Sequence, residues 1–226
     1  MRIALALLSC AGLALLLALA ILDQPTASAN LISAVDQHMN QAGVEHPITA
    51  VLLNFRAYDT LLEIAVLLVA VVVGLSLRPA RQAKAAARGV AEPSAMLPAL
   101  ARLLAPLMLL VAMYLLWAGS YQTGGAFQAG AVLAASALLL RLSGVTAGPV
   151  PAGRWLRAGL SIGFLVFLLA GGLMAASGRA FLEWPENHTG ALILFIEAAL
   201  TLSIALTLLG LFVSTPSPRS RPGEEQ

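Results

Sequence analysis

Residues 191–213 read ALILFIEAALTLSIALTLLGLFV, an apolar run holding a single ionisable side chain, Glu197. At about 1.5 Å per residue, a helix of this run reaches about 34 Å, enough to cross the roughly 30 Å hydrocarbon core of a bilayer. In water such a helix would need apolar cover all round. In lipid it needs none, and only its backbone groups must be satisfied, which a helix does by itself.

The same pattern recurs toward the N-terminus at Leu156–Ala176, Ala126–Leu142, Leu97–Ala118, Leu61–Leu77 and Ile3–Leu22. The spacing predicts an all-α, polytopic membrane protein with about six transmembrane helices. Composition agrees: 59% of the 226 residues are hydrophobic and 11% charged, where a soluble domain carries about a quarter charged. Mean hydropathy is +0.87.

Between the spans, Asn30–Pro47 is polar, with Leu31, Ile32, Val35, Met39 and Val44 spaced as on one helical face. It reads either as a short interfacial helix or as a solvated loop. Ile48–Phe55 suggests a short partial helix feeding the second span, and Pro106 predicts a kink in the third. The chain divides into a two-helix segment (1–78), a basic cytoplasmic linker (79–96), a four-helix domain (97–213) and a disordered tail (214–226). Arg2, the first apolar run and Ala27-Ser28-Ala29 also mimic a signal peptide. The run exceeds a typical signal core, which favours a retained helix.

All thirteen Lys and Arg residues except Arg56 and Arg179 fall on one side when six spans alternate. The positive-inside rule then places both termini in the cytoplasm of a cell (inner) membrane protein. The net charge of +2 is spread among connectors and forms no stripe for nucleic acid. Cys10, the lone cysteine, excludes an intrachain disulfide.

Glu197 is the first residue that invites chemistry. An ionisable group at membrane depth must be paired, solvated or protonated, so it reads as an ion or proton carrier, or as a structural hydrogen bond to a neighbouring subunit. Thr201 lies one turn further on the same face. In the second span, Asp59 and Glu63 share a helical face beside Arg56, an arrangement suited to a cation or proton antechamber. Thr60-Leu61-Leu62-Glu63 equally fits a helix-capping box.

Thr123-Gly124-Gly125-Ala126 predicts a sharp turn into a helix N-terminus, and Gly130, Ala134 and Ala135 predict close helix packing. Trp117, Trp155, Trp184, Arg179, Glu183 and Glu186 read as interfacial anchors. His38, His46 and His188 fall in the loops without metal-ligand spacing, so no metal and no cofactor is implied. No nucleophile elbow, P-loop or dinucleotide fingerprint occurs, which argues against an enzyme and leaves no catalytic residues to name.

Two stretches resemble a known family. HPITAVLLNFRAYDTLLEI at 46–64 is similar to a segment, approximately NxVTAILxDFRGFDTLGE, that precedes or is fused to the MnhB/MrpB-type subunit of Mrp-type multisubunit Na⁺/H⁺ antiporters. YLLWAGSYQTGGAFQAG at 114–130 resembles the signature of the MnhB/MrpB-type subunit itself, near YxxxxGxxxPGGGFQGG, and Phe195-Ile196-Glu197 looks like its last-helix motif. The likeness spans most of 46–213. It implies a fused MbhE-like segment followed by an MnhB-like domain.

By the same matching, Arg56, Asp59, Thr60, Glu63, Gly124, Gly125, Phe127, Gln128 and Glu197 occupy family positions. The implied function is a membrane subunit of a monovalent cation (Na⁺/K⁺)/proton antiporter, with Glu197, Glu63, Asp59, Thr201 and Arg56 on or beside the ion path. Its implied partners are the lipid bilayer, monovalent cations and protons, and other membrane subunits related to the membrane arm of respiratory complex I. The alternative is an accessory, assembly-type subunit of a related respiratory or hydrogenase-type complex. Thr123 stands where the family has proline, Ala126, Ala129, Ala57 and Leu62 where it has glycine, and Asn54 where it has Asp. The spans hold too few ionisable residues for a self-sufficient carrier, which favours a subunit.

Overall fold

A computed structural model describes residues 2–23, 31–77, 96–146, 154–185 and 188–214. The signal-like Ala27-Ser28-Ala29, nearly all of the basic linker (79–96) and of the tail (214–226), Glu186 and the side chain of Trp155 lie outside the described residues. Every regular element among the described residues is helical.

Residues 1–37 form one compact unit and 38–226 another. The first holds α1 (Arg2–Leu22), apolar almost throughout, and nearly all of α2 (Leu31–His38), an amphipathic helix at the position where sequence left helix or loop open.

The second unit starts with a 3₁₀ turn (Met39–Gln41), followed by α3 (Pro47–Ala50) and a π-helical turn (Val51–Phe55). Then come α4 (Ala57–Ser76), α5 (Met96–Ala118), α6 (Ala126–Leu142), α7 (Arg154–Ala176) and α8 (Thr189–Ser214). Pro106 lies inside α5. Among the described residues, four segments are long and apolar enough to cross a membrane: Ala57–Ser76, Met96–Ala118, Leu156–Ala176 and Thr189–Phe212. The chain is therefore a multi-pass membrane protein. Of the two other expected spans, α1 is an apolar helix of 21 residues and Ala126–Leu142 a shorter one of 17, so the described residues bear out four of the expected six.

α8 is the centre of the bundle: α4, α6 and α7 pack on it, and α5 packs on α6. Lipid tails are as apolar as leucine, so burying leucines does not drive these helices together; close backbone approach and interhelical hydrogen bonds do. A Cβ on Gly163 of α7 would lie 3.0 Å from Leu200 Cα, and one on Gly130 of α6 would lie 3.1 Å from the Thr201 carbonyl. Ser203 on α8 donates its hydroxyl to the Leu160 carbonyl of α7. Ile193, Ile196, Leu200, Ile204 and Phe167 fill the core, whereas Val69, Leu103, Leu110 and Leu169 stand exposed, as lipid-facing residues should.

The helix expected from Leu61 begins four residues earlier, at Ala57, with Arg56 as its N-cap. The capping box is overturned. Thr60 lies within the helix and donates its hydroxyl to the Leu52 carbonyl, 2.6 Å away, instead of capping. Asp59 sits in the first turn, where the helix dipole favours an acid.

Candidate functional site

The end of α5, the turn after it and the broken helix 47–56 come together against α8. The glycines of the turn make this approach. Backbone N–H groups of Gly119 and Gly125 both donate to the Leu115 carbonyl, at 3.1 and 2.8 Å. A Cβ on Gly124 would strike that same carbonyl oxygen. Gly125 has φ +104° and ψ −172°, a region that side-chain-bearing residues essentially do not enter.

The strap 42–50 is tied onto this turn. Glu45 and His46 donate their backbone N–H groups to the Ser120 carbonyl at 2.9 and 3.0 Å, and the Thr49 hydroxyl donates to the Gly119 carbonyl. Beyond it, the π turn leaves carbonyls that regular helical geometry would have satisfied, and side-chain donors reach in to serve them. Leu52 O receives Thr60 Oγ1, and Leu53 O receives Trp184 Nε1 at 2.7 Å. Asn54 Nδ2 in turn donates to the Ala42 carbonyl at 3.1 Å. Trp184 is only 5% exposed and stacks with Phe167, so it is a buried donor and not the interfacial anchor expected from sequence. Trp117 is exposed.

Glu197 projects from α8 to the N-terminus of α6. It is 3% exposed, and its Oε1 accepts the Ala126 backbone N–H at 3.3 Å. An acid at a helix N-terminus is electrostatically favoured. The second oxygen, Oε2, is buried and has no hydrogen-bond partner among the described residues.

A cavity of about 270 Å³ opens beside this carboxylate. Its lining includes Glu197, Thr60, Gly124, Gly125, Phe127 and Gln128, so six of the residues singled out from sequence are gathered in one place. Thr49, Thr123 and His46 line it too, and His46 was not singled out. The histidine is half-buried with a fully buried Nδ1, and it stands as the N-cap residue of α3 with its backbone N–H tied to Ser120.

The remaining expected residues lie elsewhere. Arg56 pairs with Asp59 on the protein surface. Glu63 is exposed on α4 and makes no hydrogen bond or ion pair among the described residues. Thr201 is buried but donates its hydroxyl to the backbone carbonyl of Glu197 itself, at 2.7 Å, and does not line the cavity. No group of three or more His, Cys, Asp or Glu placed to hold a metal ion exists among the described residues. What the arrangement offers chemically is one buried carboxylate, anchored at one oxygen, in the wall of a cavity with room for several waters.

Comparison with known proteins gives two family matches on adjoining stretches. Residues 96–215 match the domain related to the MnhB subunit of Na⁺/H⁺ antiporters, and residues 1–94 match the MbhE subunit of MBH. Among curated proteins none matches the chain. Two solved structures are similar in fold. One is a chain of the membrane-bound sulfane sulfur reductase, an archaeal respiratory membrane complex, at 24% identity and TM-score 0.70, covering 94% of this chain and 97% of that one. The other is a chain of the Mrp complex from Dietzia sp. DQ12-45-1b, at 21% identity and TM-score 0.63, covering 92% of this chain and 25% of that one.

Proposed function

We propose that this chain, which belongs to the family of domains related to the MnhB subunit of Na⁺/H⁺ antiporters, is an accessory membrane subunit of a multisubunit respiratory-type complex. The observation that carries this reading is Glu63. It stands six residues into α4, about 9 Å along the helix, and is exposed. A carboxylate at that depth does not face lipid tails; it faces water or a polar group of a neighbouring subunit. The similarity to a chain of a respiratory membrane complex over nearly the full length of both supports the same reading.

In this arrangement the chain crosses a cell membrane with both termini cytoplasmic, α1 and the shorter helix 126–142 completing six crossings. Its partners are other membrane subunits, and its role is non-enzymatic. Purifying the tagged native chain in mild detergent and identifying every co-purifying subunit tests this directly. Respiratory or hydrogenase-like subunits are expected; a chain that emerges alone and stable overturns the reading.

A second reading is favoured by the cavity at Glu197: a component of a monovalent cation (Na⁺/K⁺)/proton antiporter that contributes to the ion path. Under it, Glu197→Gln impairs cation-dependent proton exchange in membrane vesicles while the complex still assembles. Unchanged exchange removes Glu197 from the path.

A further inference from the structure

We propose that a second cavity, walled by residues 39–45, the end of α5 and the first turns of α8, binds the headgroup of a membrane phospholipid that carries both an ammonium and a phosphate. The inference goes beyond the reading as a complex subunit and requires only that the chain spans a membrane.

This cavity has a volume of about 530 Å³ and is half-open to the surface. Two apolar spans end at it: Trp117 is the last but one residue of Met96–Ala118, and Gly190 and Ala191 open Thr189–Phe212. It therefore lies where crossing helices leave the hydrocarbon, the level of lipid headgroups and of interfacial Trp and Tyr. Close backbone approach builds its wall. A Cβ on Gly190 would lie 2.6 Å from the Gly43 carbonyl oxygen, and one on Gly43, at φ +71°, would strike Thr189 Cβ. The backbone N–H of Glu45 is held on the Ser120 carbonyl at 2.9 Å.

The lining offers both signs of charge. Glu45 is its one charged side chain among the described residues; it is exposed and makes no ion pair there. Trp117 and Tyr121, both exposed, have ring centroids 5.3 Å apart and planes inclined at 47°, so the rings do not cover one another's faces. Aromatic faces beside a carboxylate attract an ammonium group. Gly190 and Ala191 belong to the first turn of α8, and a helix start favours an anion. A bare cation satisfies Glu45 and is opposed by the helix end, and a bare anion does the reverse. A headgroup with an ammonium next to a phosphate suits both.

α5 supplies the remainder of the fit. Leu103, Leu107, Leu110, Tyr114 and Trp117 recur every three or four residues and are all exposed, so they form one apolar stripe running along the helix to the cavity. Acyl chains lie along the leucines while the headgroup enters beside Trp117. A lysine or arginine from an adjoining protein would meet Glu45 but has no phosphate for the α8 end, which favours the lipid.

Native mass spectrometry of the full chain in mild detergent, alone and with whatever subunits accompany it, tests the proposal with phosphatidylethanolamine and phosphatidylglycerol of identical acyl chains. One molecule of phosphatidylethanolamine is expected to bind about tenfold more tightly than phosphatidylglycerol, the equivalent of one charge-assisted contact. Glu45→Gln, which keeps the backbone tie to Ser120, is expected to abolish that preference. Trp117→Leu, which keeps an apolar side chain and loses the π face, is expected to weaken phosphatidylethanolamine binding about threefold. Equal binding of the two lipids to the native chain overturns the proposal, and so does a preference that survives in Glu45→Gln. It is overturned equally if the complex binds no phosphatidylethanolamine while Glu45→Gln lowers the recovery of one subunit, because the cavity then holds a protein cation. A chain that purifies alone overturns only the reading as a subunit, since its lipid binding still decides the headgroup site.

Discussion

A Cβ on Gly125 would sit 2.7 Å from Oε1 of Glu197, so the carboxylate occupies the place where any other residue at 125 would carry its side chain. The φ of +104° at the same residue adds a second reason for glycine. Gly125→Ala is therefore expected to lower stability by about 1–3 kcal/mol through backbone strain alone, with the displaced carboxylate adding to it. Thermal unfolding in detergent measures the loss. In a Glu197→Ala background the clash is relieved and the strain is kept, so the cost of Gly125→Ala should shrink without vanishing. Equal costs in the two backgrounds would mean that the two residues do not share this space.

Two threonine hydroxyls that look alike in sequence differ in what they support. Thr60 reaches across the helix break to Leu52 O, whereas Thr201 bonds back to the carbonyl of Glu197 four residues earlier in an unbroken helix. Thr60→Val should cost about 0.5–1.5 kcal/mol, because it removes the side-chain donor to a part-buried carbonyl at the break. Thr201→Val should stay within about 0.5 kcal/mol, since the helical N–H still serves that carbonyl. Because Thr201 does not line the cavity, its valine variant should also leave any proton or cation exchange unchanged. Denaturant titration of both variants checks the first pair of statements, and a vesicle exchange assay the third.

These contrasts show where sequence was legible. Helices inside lipid must be long, apolar and internally bonded, so their limits are written in composition: Ala126–Leu142 has the ends read from the residues, and α5 starts within one residue of its expected Leu97. Glu197, Gly124 and Gly125 were legible for the same reason, because a charge and paired glycines stand out in an apolar background. The start of α4 was not. Asp59, Thr60 and Glu63 look like the polar end of a span, but the dipole welcomes Asp59 and the π turn takes the hydroxyl of Thr60. Trp184 was misread because its partner, Leu53, lies 131 positions away. Long-range hydrogen bonds leave no periodicity behind.

Trp184 provides a direct measure of such a bond. Trp184→Phe keeps an aromatic ring against Phe167 and removes only the Nε1–H that serves Leu53 O. The expected destabilisation is about 1–3 kcal/mol for a buried acceptor left unpaired. Trp117→Phe, on the exposed face of α5, should change stability by less than about 0.5 kcal/mol. Parallel thermal melts of the two variants decide it, and a Trp184→Phe chain as stable as the native one would show that the π turn needs no outside donor.

Glu63 separates folding from assembly. Its carboxylate is exposed and takes no part in the bundle's own bonding, so Glu63→Ala should leave the unfolding of the isolated chain within about 0.5 kcal/mol of the native value. The neighbouring Arg56–Asp59 pair is a surface i,i+3 pair, worth only about 0.2–0.5 kcal/mol, and is not expected to compensate. If the carboxylate meets a donor on an adjoining protein, Glu63→Ala should weaken co-purification of that partner about tenfold or more, the equivalent of one charge-assisted hydrogen bond. Glu63→Gln distinguishes the kind of contact: a neutral donor keeps much of its bond to the amide oxygen, whereas a partner's Lys or Arg loses its counter-charge. Quantitative recovery of the co-purifying subunits across native, Ala and Gln chains makes the measurement. Recovery that is the same in all three would place Glu63 against water, and the search for the partner-facing surface would then move to another face of the bundle.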